Sequence, residues 1–238
     1  MTMPELESAI HAAHAGAPTD REILGEALAP EDIDADYLQG REYYAWLWAV
    51  ARTIGPLYIR EIGVRLGYSA VAMIQGAMGS CLLYEGWDAE VYIPGSNARA
   101  EAAIKALADR DPGLCCEAHL WKIDTQKSDR LMMTLYASST DNPHHENDYE
   151  TPNEKSIFFI DGDHTFAGAL HDLTLAYDAM APDGIILFDD VDLIPECRRA
   201  ADVFIISHDL AWFHLPTFRG LYVMRRKAQI SGNQSTIN

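Results

Sequence analysis

Five short apolar runs, separated by stretches of helical periodicity, constrain this chain more than any other feature. The runs are residues 57–62, 81–84, 118–123, 157–160 and 185–188, and the intervening helical stretches are 70–78, 98–108, 129–136 and 168–180. Apolar runs of this length between helices predict parallel strands covered on both faces. Two later runs, 211–215 and 221–224, are joined by the short link Pro216 to Gly220 and read as a hairpin. The expected fold class is therefore α/β, with a mostly parallel seven-stranded sheet, helices on both faces and a C-terminal antiparallel hairpin.

What precedes the first run differs in kind. Residues 1–33 are polar and loosely helical. Residues 36–53 are dense in Tyr37, Leu38, Tyr43, Tyr44, Trp46, Leu47, Trp48 and Val50 at helical spacing, and Gly55–Pro56 ends the pattern. Such a helix packs on the sheet or on another subunit, or lines a substrate pocket; aromatic stripes at this spacing are more often core. The expected organisation is an N-terminal helical cap over 1–55, the main domain over 56–227 and a polar tail over 228–238. Residues 140–155 break the rhythm: they are polar and carry His144–His145. A loop this long is mobile or functional, and its adjacent histidines are expected to be solvated.

The formal net charge of −18 repels phosphate backbones, so nucleic acid is not an expected partner. No apolar run approaches the roughly 18 residues of a membrane span, and the N-terminus lacks the basic start and apolar centre of an export signal. The expectation is a cytoplasmic protein with no membrane partner, and the aromatic N-terminal helix allows a homo-oligomer such as a homodimer. Cys81, Cys115, Cys116 and Cys197 include no C-x-x-C pair and read as buried, reduced thiols.

In an open parallel sheet, ligands sit beyond the carboxyl ends of the strands. After the first strand comes Glu61-Ile-Gly63-Val-Arg-Leu-Gly67-Tyr68-Ser69. Its two glycines permit a tight turn and close backbone approach to a ligand, although turns of this kind are also built for structure alone. Arg65 stands where a dinucleotide fingerprint needs its second glycine, which speaks against a nicotinamide enzyme. After the second strand, an acid can bind ribose hydroxyls. Asp88 lies 21 residues beyond Gly67, near the expected spacing, and Glu85 competes with it.

The fourth and fifth strands end in Asp161-Gly-Asp163-His164-Thr165 and Asp189-Asp190-Val-Asp192. Carboxylates gathered at one edge are costly without a cation, and oxygen donors of this kind suit Mg²⁺. Such an ion holds a substrate hydroxyl and lowers its pKa, and His164, with an ordinary pKa of ~6.5, then takes the proton. The competing reading makes these acids Asx-type caps of the helices that follow.

Together these residues resemble the class I S-adenosylmethionine (SAM)-dependent methyltransferases, from about residue 57 to 225. The E-I-G-x-x-x-G-Y-S segment is similar to the glycine-rich motif of the catechol O-methyltransferase group. I-D-G-D-H-T-F, followed by Leu170-His171-Asp172-Leu173, Pro182-Asp183-Gly184 and Phe188-Asp189-Asp190, resembles the macrocin O-methyltransferase and cephalosporin-hydroxylase-like branch. The resemblance implies a Rossmann-like SAM-binding domain that methylates an oxygen of a small-molecule acceptor with the help of Mg²⁺. It implies that Glu61 and Gly63 meet the methionine end of SAM and that Gly67, Tyr68, Ser69 and Asp161 also bind the cofactor. It further implies that Asp88 holds the ribose, that Asp124 lies near the adenine, that Asp161, Asp189 and Asp190 bind the metal, and that His164 is the base. A metal-independent N- or C-methyltransferase, or an inactive scaffold on the same fold, are the rival readings.

Overall fold

The computed structural model describes residues 1–25, 40–91, 93–114, 116–127 and 155–227. Helices α1 (Met3–Ala15), α2 (Asp20–Leu24) and α3 (Tyr44–Ile54) come first, then β1 (Tyr58–Ile62), α4 (Tyr68–Ala77), β2 (Leu83–Asp88), α5 (Ser96–Arg110) and β3 (Glu117–Lys122). The chain continues with β4 (Ser156–Ile160), α6 (Phe166–Ala179), β5 (Ile185–Phe188), α7 (Pro195–His208), β6 (Leu210–Leu215) and β7 (Leu221–Arg226). The strands form one sheet in the order β3-β2-β1-β4-β5-β7-β6. The first five strands run parallel, and β7 pairs antiparallel with both β5 and β6. The expected fold class is the observed one.

Each sheet face has its own core, because alternate strand residues point to opposite sides. Ile59, Tyr84, Ile157, Phe159 and Leu187 pack with Leu6 and Ile10 of α1, Leu47 and Val50 of α3, and Val71 and Ile74 of α4. Ile62, Trp87, Phe158, Ile160 and Ile186 pack with Leu173 and Ala176 of α6 and Ala200 and Phe204 of α7. The N-terminal helices thus share a core with the sheet. Thr2 and Thr19 start α1 and α2 with capping boxes closed by Glu5 and Glu22. Asp20 is fully buried in that region, and its carboxylate accepts the backbone N–H groups of Glu42, Tyr43 and Ala45, which sets the angle at which α3 begins.

Three elements depart from the sequence reading. β2 runs four residues further than expected, so Glu85 lies inside the strand rather than after it. The aromatic helix begins only at Tyr44. Helix α7 was not expected: Arg198, Arg199 and Asp202 interrupt its apolar positions, and Val203 and Ile206 are exposed, so the buried stripe of Cys197, Ala200, Ala201, Phe204 and Ile205 is hidden in the sequence. The expected helix over 129–136, residues 36–39, the 140–154 stretch with His144–His145, Cys115 and the tail over 228–238 lie outside the described residues. Cys81 and Cys197 are buried thiols as expected, whereas Cys116 is partly exposed. Among the described residues, no helix is long and apolar enough to cross a membrane.

Candidate active site

The parallel ladder continues one residue past three adjacent strands. The N–H of Gly63 donates to Trp87 O (2.8 Å), that of Asp161 to Ile62 O (2.9 Å) and that of Asp189 to Ile160 O (3.1 Å). The first residue after β1, β4 and β5 is therefore fixed in register, and the side chains of Asp161 and Asp189 meet at one edge around Arg219. Gly63 has φ +88°, and a Cβ there would lie 1.8 Å from the carbonyl oxygen of Asp161, so only glycine allows the two strand ends to come this close. Gly67 (φ +79°) closes the turn, and a Cβ on it would meet Ala100 of α5 at 2.8 Å.

Glu61 is fully buried beneath this turn. The Ser69 hydroxyl donates to one of its carboxylate oxygens and the Tyr84 hydroxyl to the other at 2.6 Å. Burial pushes its pKa up to about 8, against those two hydrogen bonds, which favour the charged form. Asp88 ends β2 and accepts the N–H of Arg65 within the glycine turn at 2.8 Å, and that of Glu90 on its other oxygen. Glu85 instead pairs with Arg60 at 2.9 Å inside the sheet. Of the two competing acids, Asp88 stands at the carboxyl end of β2 and Glu85 within the strand, and neither lines the cavity described below. Asp124 lies beyond β3, paired with Lys127 at 2.6 Å, and does not line the cavity described below.

The second strand-end group is held by a residue that the sequence reading did not single out. Arg219, in the link between β6 and β7, sets its Nε 2.7 Å from Asp190 Oδ1 and one terminal nitrogen 2.7 Å from Asp190 Oδ2. The same guanidinium lies 3.1 Å from Asp189 and 3.3 Å from Asp161. Tyr43, just ahead of α3, donates its hydroxyl to Asp189 Oδ2 at 2.6 Å, and Asp189 Oδ1 is buried with no hydrogen-bond partner. Burial, reinforced by the Asp161 charge, holds the Asp189 carboxyl well above the usual range. Burial also works against ionisation of Asp190, but hydrogen bonds from His164 and Arg219 outweigh it and lower its pKa to about 2. Asp190 further adopts a left-handed backbone (φ +62°), tolerated best by glycine, Asn and Asp.

His164 Nε2 lies 3.3 Å from Asp161 and 3.0 Å from Asp190. Hydrogen bonds that the ring donates to these two carboxylates, opposed by partial burial, push its pKa up to about 10. This corrects the expectation of an ordinary histidine near neutrality: between two acids the ring is held as imidazolium. The cap reading holds for a different acid, since Asp163 accepts the Thr165 N–H at 2.7 Å while Thr165 itself caps α6. Behind this turn the buried Asp172, its pKa raised by burial to about 6, accepts the Thr125 hydroxyl at 2.8 Å. A Cβ on Gly162 would lie 2.5 Å from the same carboxylate.

One cavity of about 270 Å³ joins the two groups. Gly63, Val64, Leu66, Tyr68 and Ser69 line one side, and Asp161 with Arg219 the other. Tyr43, Tyr44 and Phe218 form an aromatic wall, with the Tyr44 and Tyr68 rings edge to face at 6.2 Å. The aromatic helix therefore both packs, through Leu47 and Val50, and contributes to the cavity. Asp161, His164 and Asp190 offer ligand atoms that all lie within 4.8 Å of one another. The carboxylate oxygens of Asp161 and Asp190 and the orphaned Asp189 oxygen suit a divalent cation such as Mg²⁺; the Arg219 guanidinium and the His164 ring stand where that charge would be.

An α/β sheet with this strand order, a glycine turn after β1 and an acid closing β2 defines the class I SAM-dependent methyltransferase fold. Residues 60–191 match a family model described as a methyltransferase domain, more than half of the chain, and the protein belongs to that family. Among curated proteins, none matches it in sequence. Solved structures share the fold at low identity. The SAH-bound methyltransferase PaMTH1 of Podospora anserina is 17% identical, with 96% of this chain and 97% of that one covered and a TM-score of 0.55. TomG of Streptomyces achromogenes, an O-methyltransferase of tomaymycin synthesis solved with SAM, is 15% identical over 96% and 100%, with a TM-score of 0.55. CalS11, a TDP-rhamnose 3′-O-methyltransferase of calicheamicin biosynthesis, is 15% identical over 93% of each chain, with a TM-score of 0.59.

Proposed function

We propose that this protein transfers the methyl group of SAM to a hydroxyl oxygen of a small-molecule acceptor. The carrying observation is the single cavity that runs from the glycine turn to Asp161 and Arg219. In this reading Glu61, Gly63, Gly67, Tyr68 and Ser69 receive the methionine end of SAM, Asp88 the ribose and Asp124 the adenine side, with Asp161 at the junction with the acceptor. The sulfonium already activates the methyl group. The chain has mainly to bring the acceptor oxygen to about 3–3.5 Å, in line with the departing sulfur. The aromatic wall of Tyr43, Tyr44 and Phe218 supports an acceptor with an apolar or planar body. TomG and CalS11 act on oxygens of small molecules, which supports an oxygen nucleophile here.

His164 is the proposed proton acceptor, and it can accept only as neutral imidazole, once Asp161 and Asp190 no longer accept hydrogen bonds from it. A divalent ion held by Asp161, Asp189 and Asp190 would supply Lewis-acid polarisation of the acceptor hydroxyl and draw carboxylate charge away from His164. A second reading, methyl transfer without metal, is favoured by one observation: Arg219 already places a cation on the same acids. We place the protein in the cytoplasm, working as a homo-oligomer without nucleic acid or membrane. The test is calorimetric titration with S-adenosylhomocysteine (SAH), with and without Mg²⁺. Micromolar binding supports the cofactor assignment, and absence of binding in both conditions overturns it.

A further inference from the structure

We propose that Arg219 is the resident cation of the carboxylate cluster, and that a divalent ion enters the cluster only by displacing it. The inference rests on the metal part of the function proposed above and does not require turnover.

The geometry carries it. Both oxygens of Asp190 are held by Arg219 at 2.7 Å, in the bidentate arrangement that suits a guanidinium best, and His164 Nε2 makes one further contact, 3.0 Å from Oδ2. Asp189 Oδ2 is shared between Arg219 and Tyr43, and Asp161 Oδ1 lies 3.3 Å from both Arg219 and His164. An ion placed among these oxygens would sit within a few ångströms of the guanidinium in a largely buried site, where like charges repel strongly. Ion and guanidinium are therefore alternatives. The orphaned Asp189 Oδ1, on a side chain with no exposure, points to a ligand that Arg219 does not fully replace.

The backbone around Arg219 shows how it can yield. Its carbonyl accepts the N–H groups of Asp192 (2.8 Å) and Leu193 (3.2 Å), and Gly220 O accepts that of Val191 at 3.2 Å. The link is thus tied to the segment after β5, and Arg219 leaves by rotating its side chain about a fixed backbone. The cavity it already lines with Phe218 receives it. Arg219 is a positioning residue in this account: it sets how tightly the acids take an ion.

The test is Mn²⁺ titration, followed by calorimetry and by loss of the free Mn²⁺ paramagnetic resonance signal, on the full chain and on Arg219→Met. The expected result is binding at least about tenfold tighter in Arg219→Met, with a melting temperature that rises with Mn²⁺ more than in the wild type. Equal affinity in the two proteins overturns the inference. If Arg219→Met does not fold, Arg219→Lys replaces it: lysine keeps the charge but cannot span Asp190, so tighter Mn²⁺ binding than wild type is expected and unchanged binding overturns the proposal. In the Asp161→Asn/Arg219→Met double variant the gain should vanish; if it persists, the ion sits elsewhere and the proposal fails. SAH titration of the same samples reads the cofactor assignment separately.

Discussion

Arg219 and Asp190 meet through two hydrogen bonds of 2.7 Å across 29 residues of chain, joining the final hairpin to the end of β5. The same guanidinium reaches the acid that ends β4, so the edge where chemistry is expected closes only when the C-terminal hairpin has docked. Tyr43 extends this closure to the N-terminal helices through Asp189, 146 residues away.

That hydroxyl has a measurable role. Tyr43→Phe removes the neutral donor to a carboxylate with no exposure and leaves Asp189 dependent on Arg219 alone. A loss of about 1–3 kcal/mol in urea denaturation is expected at neutral pH. A change below a few tenths of a kcal/mol would show that the contact does not hold the cap to the sheet.

The two acids of β2 separate cleanly. Asp88→Asn replaces one acceptor facing a backbone N–H with a donor, which loosens the glycine turn and, in the proposed reading, removes the ribose ligand. SAH affinity should fall about tenfold, or ~1.4 kcal/mol. Glu85→Gln unpairs the mostly buried Arg60 and lowers stability, but should leave SAH affinity within about twofold, as expected of separate sites. The reverse ranking would move the ribose to Glu85.

If Glu61 meets the cofactor as proposed, binding should depend on pH. The Glu61 pKa of about 8, set chiefly by burial, lies above the ordinary carboxyl value, so the free protein holds this proton at neutrality. In the proposed reading Glu61 faces the ammonium group at the methionine end of the cofactor, which calls for the charged carboxylate. SAH affinity should therefore rise from about pH 6 to about pH 8, with proton release visible as a dependence of the calorimetric heat on buffer ionisation. For stability the sign is opposite: the folded pKa is raised, so the contribution is fully present below about pH 4.5 and is lost as pH rises toward about 8. Glu61→Gln should flatten both profiles.

Cys81 and Cys116 lie before β2 and β3, with sulfur atoms 3.1 Å apart. Treatment with diamide should join them, the two thiols losing two protons and two electrons as the reagent is reduced. The reaction should be slow, because hydrogen bonding to Cys81, together with burial, raises the Cys116 thiol pKa and leaves little thiolate. Peptide mapping should find a Cys81–Cys116 link with Cys197 still free; a different pairing would contradict this geometry.

The strand ends were legible because apolar runs and the acids behind them are local signals. β5 falls on the residues the sequence predicted, and Asp161, Asp189 and Asp190 meet where their strands end. Arg219 was not legible: it sits in a link predicted only as a turn, and nothing in local spacing tells an arginine that its partner lies 29 residues upstream. Tyr43 was seen as part of an aromatic stripe, but a stripe does not say which ring leaves the core for the cavity. His164 stands out in the sequence, but its raised pKa does not, because that is set by two acids that follow different strands.

The contact between Gly63 and Asp161 bears on how such a protein diversifies. With 1.8 Å between a would-be Cβ and the Asp161 carbonyl, position 63 accepts no side chain, and the spacing between the glycine turn and the acid beyond β4 cannot be adjusted by substitution there. A lineage taking up new acceptors would have to write the change elsewhere on the cavity wall. Tyr44 and Phe218 are the adaptable lettering around a fixed frame, and a library varied at those two positions, with Tyr43 kept for its bond to Asp189, is where altered acceptor preference should be sought.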